Sequence, residues 1–208
     1  MADVERHEFF PTCLYRFKHN FKENELNSVV KHIEDNSLSE QNGQVVKRTG
    51  SQTQDELHKI DTFSNLTKTI IDVSKSILDE QGYMGEIEIT NMWGNILRPQ
   101  SQRAHAPHTH SNNFLSGVFY LKTSDDTSPI QFFDPRPQSD VLKPRKKEYN
   151  RLNSNIAQFQ SETGWGVVFP SWLVHWVPET KDERISIAWN IIVRGEYGEP
   201  NALQNAYI

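Results

Sequence analysis

Cysteine is nearly absent. Cys13 stands alone, so no internal disulfide can staple the fold, and the composition fits a reducing interior. No apolar run approaches the roughly 20 residues that a bilayer-spanning helix needs. The opening Met1-Ala2-Asp3-Val4-Glu5-Arg6 lacks the basic and apolar stretches of a secretory signal, so the expectation is a cytoplasmic protein without membrane contact. An excess of positive charge is also missing. With 22 Lys and Arg against 27 Asp and Glu, the formal net charge is −5, which argues against wholesale binding to nucleic acid. The one basic cluster, Lys143-Pro144-Arg145-Lys146-Lys147, reads as a solvated loop. No internal repeat is visible.

What is present suits one soluble domain across residues 1–208. Such a chain buries roughly 70% of its unfolded surface, and 11 Phe, 6 Tyr and 5 Trp supply bulky packing. Residues 1–85 read as helical support with a first strand. After a strand-like opening from Phe9 to Phe17, Leu26, Val29, Val30 and Ile33 form one face of a helix over Asn24 to Asn36. Residues 37 to 56 are polar and read as a loop. Leu66, Ile70, Val73 and Ile77 mark a second helix from Asn65 to Gln81, with Ser64 as N-cap and Gly82 as stop.

Residues 86–197 change period. Ile87–Thr90, Phe114–Leu121, Ile130–Phe133, Ile156–Phe159, Gly166–Phe169, Leu173–Val177 and Ile185–Val193 read as short strands separated by turns. That pattern predicts a mainly β sandwich or jelly roll buttressed by the two helices, an α+β composition. Residues 135–154 read as a long loop near the sandwich mouth, and residues 198–208 as a C-terminal tail.

The residue types that carry chemistry are few. His108 and His110 are two apart, so an extended strand turns both to one face and both can reach one point. His105, three residues from His108, falls outside that set unless Pro107 introduces a bulge. His175 sits in Phe169-Pro170-Ser171-Trp172-Leu173-Val174-His175-Trp176, an apolar setting in which an unpaired imidazole is costly. Either a backbone carbonyl satisfies it or the fold brings it to His108 and His110 as a third metal ligand. Arg184 and Ser186 again share a strand face, so a guanidinium and a hydroxyl can grip one carboxylate. The bland alternative for Arg184 is a surface ion pair with Asp182 or Glu183. Trp172 and Trp176 are candidates for an apolar wall, with one of them packing in the core. Gly117 reads as a point of close strand approach.

Taken in order, these landmarks, with Ser116-Gly117-Val118-Phe119-Tyr120-Leu121, Phe132-Phe133-Asp134-Pro135-Arg136 and Arg184-Ile185-Ser186-Ile187-Ala188-Trp189-Asn190, resemble the 2-oxoglutarate and iron(II)-dependent oxygenase superfamily. The likeness is to phage and bacterial members related to its prolyl 4-hydroxylase-like group. The resemblance implies a double-stranded β-helix and iron(II) held by His108, His110 and His175. Arg184 with Ser186 would bind the distal carboxylate of 2-oxoglutarate, and Tyr120 and Asn95 would be further contacts to that co-substrate. It also implies consumption of molecular oxygen, with decarboxylation of 2-oxoglutarate to succinate coupled to hydroxylation of a small-molecule or peptide substrate. His110 departs from the family, which usually has Asp or Glu there. If His110 points away, Asp134 is a remoter substitute. Two other readings use the same residues: a three-histidine dioxygenase of the cupin type without 2-oxoglutarate, and a non-enzymatic jelly-roll binding module. Oligomeric state is not legible.

Overall fold

The computed structural model describes residues 4–41, 44–47, 52–99 and 105–208. A short strand β1 (Tyr15–Lys18) leads into helix α1 (Glu23–Asn36). It starts later than the sequence pattern suggests, and Phe9 and Phe10 are exposed. Within the polar segment 37–56, the hairpin β2 (Leu38–Gln41) and β3 (Gln44–Lys47) replaces the expected loop. Gln, Ser and Glu dominate that hairpin, so no alternating apolar signal marks it. Residues 42–43 and 48–51 of the expected loop lie outside the described residues.

Helix α2 (Ser64–Glu80) ends as predicted and begins differently. Ser64 is already helical, because the chain enters directly from a 3-10 turn at Asp61–Phe63. It therefore lacks the extended backbone from which a side chain caps. At the other end Gly82 takes φ +73°. The Tyr83 amide donates to the Leu78 carbonyl and the Gly82 amide to Asp79, both at 3.1 Å. This double closure needs a left-handed residue at that point, which glycine supplies without strain. Neither helix is long and apolar enough to cross a membrane.

The strands that follow are β4 (Glu86–Leu97), β5 (His105–His108), β6 (Leu115–Lys122), β7 (Ile130–Phe133), β8 (Ile156–Phe159), β9 (Trp165–Pro170), β10 (His175–Val177) and β11 (Arg184–Arg194). They form two antiparallel sheets, ordered β1-β9-β6-β11-β4 and β5-β10-β7-β8. The segment expected as a tail folds back instead, with β12 (Glu196–Tyr197) pairing β13 (Ala206–Tyr207).

Strand alternation then sorts the side chains. Leu115, Phe119, Leu121, Ile185, Ile187, Trp189 and Ile191 pack with Val29, Ile33, Leu66, Ile70 and Ile77 of the helices. Their neighbours Val118 and Tyr120 turn the other way, toward Ile130, Phe132, Leu173 and Val177 of the smaller sheet and its approach. The larger sheet is thus covered on both faces. Gly117 opposes Trp189 across β6 and β11, and a Cβ there would overlap the indole ring. The close approach is therefore by a side chain, where the sequence suggested backbone.

Gly117→Ala is expected to cost about 1–3 kcal/mol, as overpacking of a filled core does, read from the urea unfolding midpoint. Pairing it with Trp189→Phe should recover part of that loss. The indole N–H of Trp189 is buried without a partner, so its removal forfeits no hydrogen bond. Additive losses would show that the two positions do not compete for the same space.

Candidate active site

The antiparallel pairing of β5 and β10 sets His108 directly opposite His175. Two residues further, Val177 lies opposite His105, so one residue of β10, Trp176, faces two of β5, Ala106 and Pro107. The extra residue makes a bulge at the Ala106-Pro107 step, where proline has no amide to give the ladder. His110 lies beyond the strand end, a departure from the expectation that it shares the strand with His108. Its amide donates instead to the Ser171 carbonyl at 2.9 Å, which draws it toward the turn before β10. One ring nitrogen from each of His108, His110 and His175 then falls within 4.8 Å of the others.

The proton positions follow from the partners. The Nδ1–H of His108 donates to the Ala106 carbonyl at 2.7 Å, and that of His175 to the Leu173 carbonyl at 2.9 Å. The Nδ1–H of His110 donates to Asn190 Oδ1, with Ser116 Oγ 2.9 Å away. In each ring Nε2 is left as a bare lone pair. Burial pushes the His175 ring down to about 4 despite the Leu173 bond, and burial likewise lowers His110 against the opposing pull of Asn190. Both shifts favour the neutral imidazole. His108 Nε2 and His110 Nε2 are 3.1 Å apart, a repulsive contact for two lone pairs and about the spacing of adjacent ligands at metal–nitrogen bonds of about 2.1 Å. The donor set fits a divalent cation.

These imidazoles line a cavity of about 370 Å³ that also reaches Asn95, Arg184 and Ser186. Arg184 is 1% exposed. Its Nε donates to Ser161 Oγ at 3.2 Å and its Nη1 to Ser186 Oγ at 3.1 Å, while the guanidinium carbon lies 4.9 Å from the Tyr120 ring centre. The surface ion pair considered for Arg184 does not form. Glu183 turns outward to Arg98 at 2.5 Å and Lys122 at 2.7 Å, and no carboxylate among the described residues lines the cavity. A buried cation without a counter-ion is costly. Beside it the Tyr120 hydroxyl is buried with no hydrogen-bond partner. A carboxylate ligand would satisfy both.

Other expectations need correction. Neither Trp172 nor Trp176 lines the cavity or packs in the core. Trp172 is 57% exposed and Trp176 stacks on Phe133 with ring centres 4.3 Å apart. The indole at the cavity is Trp93, one residue past Met92 on the opposite face of β4. Asp134 binds Arg136 through both carboxylate oxygens at 2.9 and 2.7 Å, which holds its carboxyl down at about 2, and it takes no part in the histidine cluster. No described residue of 135–154 lines the cavity.

The sequence reading missed Trp93, Gln52, Ser116 and Asn190, whereas His105, read as outside the metal-binding set, stays out of the histidine cluster. His105 joins the cavity wall through the bulge. Gln52 Nε2 donates to Asn95 Oδ1 at 2.9 Å, which leaves the Asn95 amide N–H groups for a ligand. Ser116 and Asn190 stand behind His110. Only the Pro107 bulge had a signal in the sequence; a Gln or Ser on a strand has none.

Comparison with known proteins bears on this geometry. Residues 91–190 match the family described as "Putative 2OG-Fe(II) oxygenase". Over that span the chain is similar to the 2-oxoglutarate and iron(II)-dependent oxygenases. The matched span contains the three imidazoles, Asn95, Tyr120, Arg184 and Ser186. That likeness points to iron(II) and 2-oxoglutarate as the cofactor set. Among solved structures, the chain is similar to the non-heme α-ketoglutarate-dependent epimerase SnoN of nogalamycin biosynthesis. The TM-score is 0.61 at 10% identity, over 92% of this chain and 83% of that one. A Pseudomonas putida prolyl-4-hydroxylase gives 0.57 at 13% identity, over 86% and 92%. The viral collagen prolyl hydroxylase of Paramecium bursaria Chlorella virus-1 gives 0.55 at 11% identity, over 87% and 96%. At these identities the likeness is one of fold, the double-stranded β-helix. No curated protein matches by sequence.

Manganese(II) at a hundredfold excess over its dissociation constant is expected to stabilise the chain by about 2.7 kcal/mol, measured as a shift in thermal unfolding. His108→Ala and His175→Ala should each abolish most of that shift, and Asp134→Ala should leave it intact. A metal-induced shift undiminished in the histidine variants would place the ion elsewhere.

Proposed function

We propose that this oxygenase oxidatively decarboxylates 2-oxoglutarate to succinate and carbon dioxide while hydroxylating a small-molecule or peptide substrate with molecular oxygen. One observation carries the assignment of residues. A single cavity has three bare imidazole nitrogens at one end and, elsewhere on its wall, a buried guanidinium with no carboxylate partner among the described residues. Iron(II), held by His108, His110 and His175, supplies the oxidative chemistry when bound. The chain's own groups bind and orient the co-substrate. Arg184 and Ser186 grip its distal carboxylate, the Tyr120 hydroxyl adds a donor that is otherwise unpaired, and the Asn95 amide offers another. Val118, Ile130, Phe169 and Val177 on the same wall exclude water.

His110 alters the charge at the metal. An imidazole in place of a carboxylate leaves one more positive charge, and Arg184 adds another. A doubly negative co-substrate is therefore favoured. Imidazole ligation alone discriminates poorly against copper, nickel and zinc.

The test is 2-oxoglutarate turnover with iron(II), scored as succinate. A cupin-type dioxygenase or a binding module would form none. Arg184→Gln leaves the partner carboxylate unpaired, a loss of about 2–5 kcal/mol. It should weaken 2-oxoglutarate binding by about two to three orders of magnitude with metal affinity unchanged, as read by anaerobic calorimetry with manganese(II). Equal co-substrate affinity in variant and parent would remove Arg184 from the site.

A further inference from the structure

His110 differs from the other two imidazoles in how its ring is held. His108 and His175 each donate Nδ1–H to a backbone carbonyl two residues before them, Ala106 and Leu173. Those bonds belong to the local chain path and depend little on neighbouring side chains. His110 has no such carbonyl. Its Nδ1 faces Asn190 Oδ1, from the strand β11 that also carries Arg184 and Ser186.

We propose that Asn190 is a positioning residue that makes His110 a metal ligand by locking its ring in the Nδ1–H tautomer. This rests on the reading of His110 as a ligand. An amide side chain offers a donor on one side and an acceptor on the other, so its orientation decides what His110 meets. Asn190 Nδ2 donates to Asn91 Oδ1 at 2.7 Å, which turns Oδ1 toward His110. Ser116 Oγ donates to the same Oδ1 at 2.7 Å, and Ser171 Oγ lies 2.8 Å behind Ser116. Ser116 and Ser171 are fully buried and Asn190 nearly so, so water does not compete for these bonds. An amide oxygen carries no proton and can only accept, so the ring proton that faces it must sit on Nδ1.

The opposite tautomer would aim an N–H at the point where His108 and His175 present lone pairs, and His110 would be lost as a donor. A partner that fixes the tautomer of a ligating histidine is commonly worth 10–100-fold in metal affinity. Asn190 also ties the metal end of the cavity to the co-substrate end through one strand.

The test uses the full chain and three kinds of variant. Asn190→Leu, alike in branching but without polar atoms, should lower cobalt(II) or manganese(II) affinity by about 10–100-fold. Asn190→Asp retains an acceptor for Nδ1–H and should stay within a few-fold of the parent. A merely structural role would make both equally poor. In a His110→Ala background, Asn190→Leu should change metal affinity no further. Long-range proton–nitrogen correlation spectra give an independent reading. The zinc(II)-loaded and metal-free parent should show His110 with its proton on Nδ1, and metal-free Asn190→Leu should show both tautomers. An Nε2–H tautomer in the metal-free parent overturns the proposal even if Asn190→Leu fails to fold. Parental affinity in folded Asn190→Leu alongside a loss in His110→Ala overturns it while leaving His110 a ligand. Parental affinity in His110→Ala removes the three-histidine site itself, and this inference with it.

Discussion

The five-stranded sheet is buried on both faces, and this constraint governs the rest. Helices α1 and α2 cover one side and the smaller sheet covers the other, so β6 and β11 have almost no exposed residue. On such strands a polar side chain is expensive unless something satisfies it. Yet Ser116, Tyr120, Arg184, Ser186 and Asn190 all occupy them and are all buried. Alternation sends each of them to the face opposite the helices, where Leu115, Phe119, Ile185, Ile187 and Trp189 pack. Polarity on these strands is therefore confined to the face that meets the histidines. The fold tolerates it because most of the groups pair with one another. The exceptions are the Tyr120 hydroxyl, which has no partner among the described residues, and the Arg184 charge, which has no carboxylate among those that line the cavity. Both sit where the proposed co-substrate carboxylate would lie.

Electrostatically the cavity is one-sided. Arg184 supplies a fixed positive charge, and burial keeps the imidazoles of His105 and His175 neutral, each pushed down to about 4. In both rings desolvation is the largest cause; the Arg184 charge acts in the same direction on His105, and the Leu173 carbonyl opposes it at His175. The nearest acidic residue in sequence, Glu183, spends its charge on Arg98 and Lys122 at the surface. Any cation entering this space adds to a field that only an anionic ligand can balance. Metal and 2-oxoglutarate should therefore strengthen each other's binding.

Much of this was legible from the chain. The period-two pattern located nearly every strand, and the i, i+3, i+4 stripes located both helices, because both are local consequences of burying one face. Arg184 and Ser186 were legible because their spacing puts them on one strand face, and His175 because its apolar surroundings demand a reason. His110 was picked out by spacing but is held at the cavity by its bond to Ser171, beyond the strand end. The rest depended on register, which no local pattern encodes. Trp93 and Trp172 look alike in sequence, and only strand parity and the turn before β10 place one at the cavity and the other in solvent. Asn190 and Ser116 become partners only because β6 and β11 pair with Ser116 opposite Asn190. The hairpin at 38–47 was missed because backbone pairing there has no apolar pattern to announce it.

The strand that carries His108 is short and lies at the border of its sheet, with β10 on one side and no strand beside the other among the described residues. Its bulge and its proline interrupt the row of amides that a border strand otherwise offers to foreign chains. A cation bridging His108 to His175 would close the same seam from within, fastening the border to its neighbour by a link far stiffer than the few hydrogen bonds across it. Removing that ion then does more than silence chemistry. Without such an ion the border strand would be held by those hydrogen bonds alone.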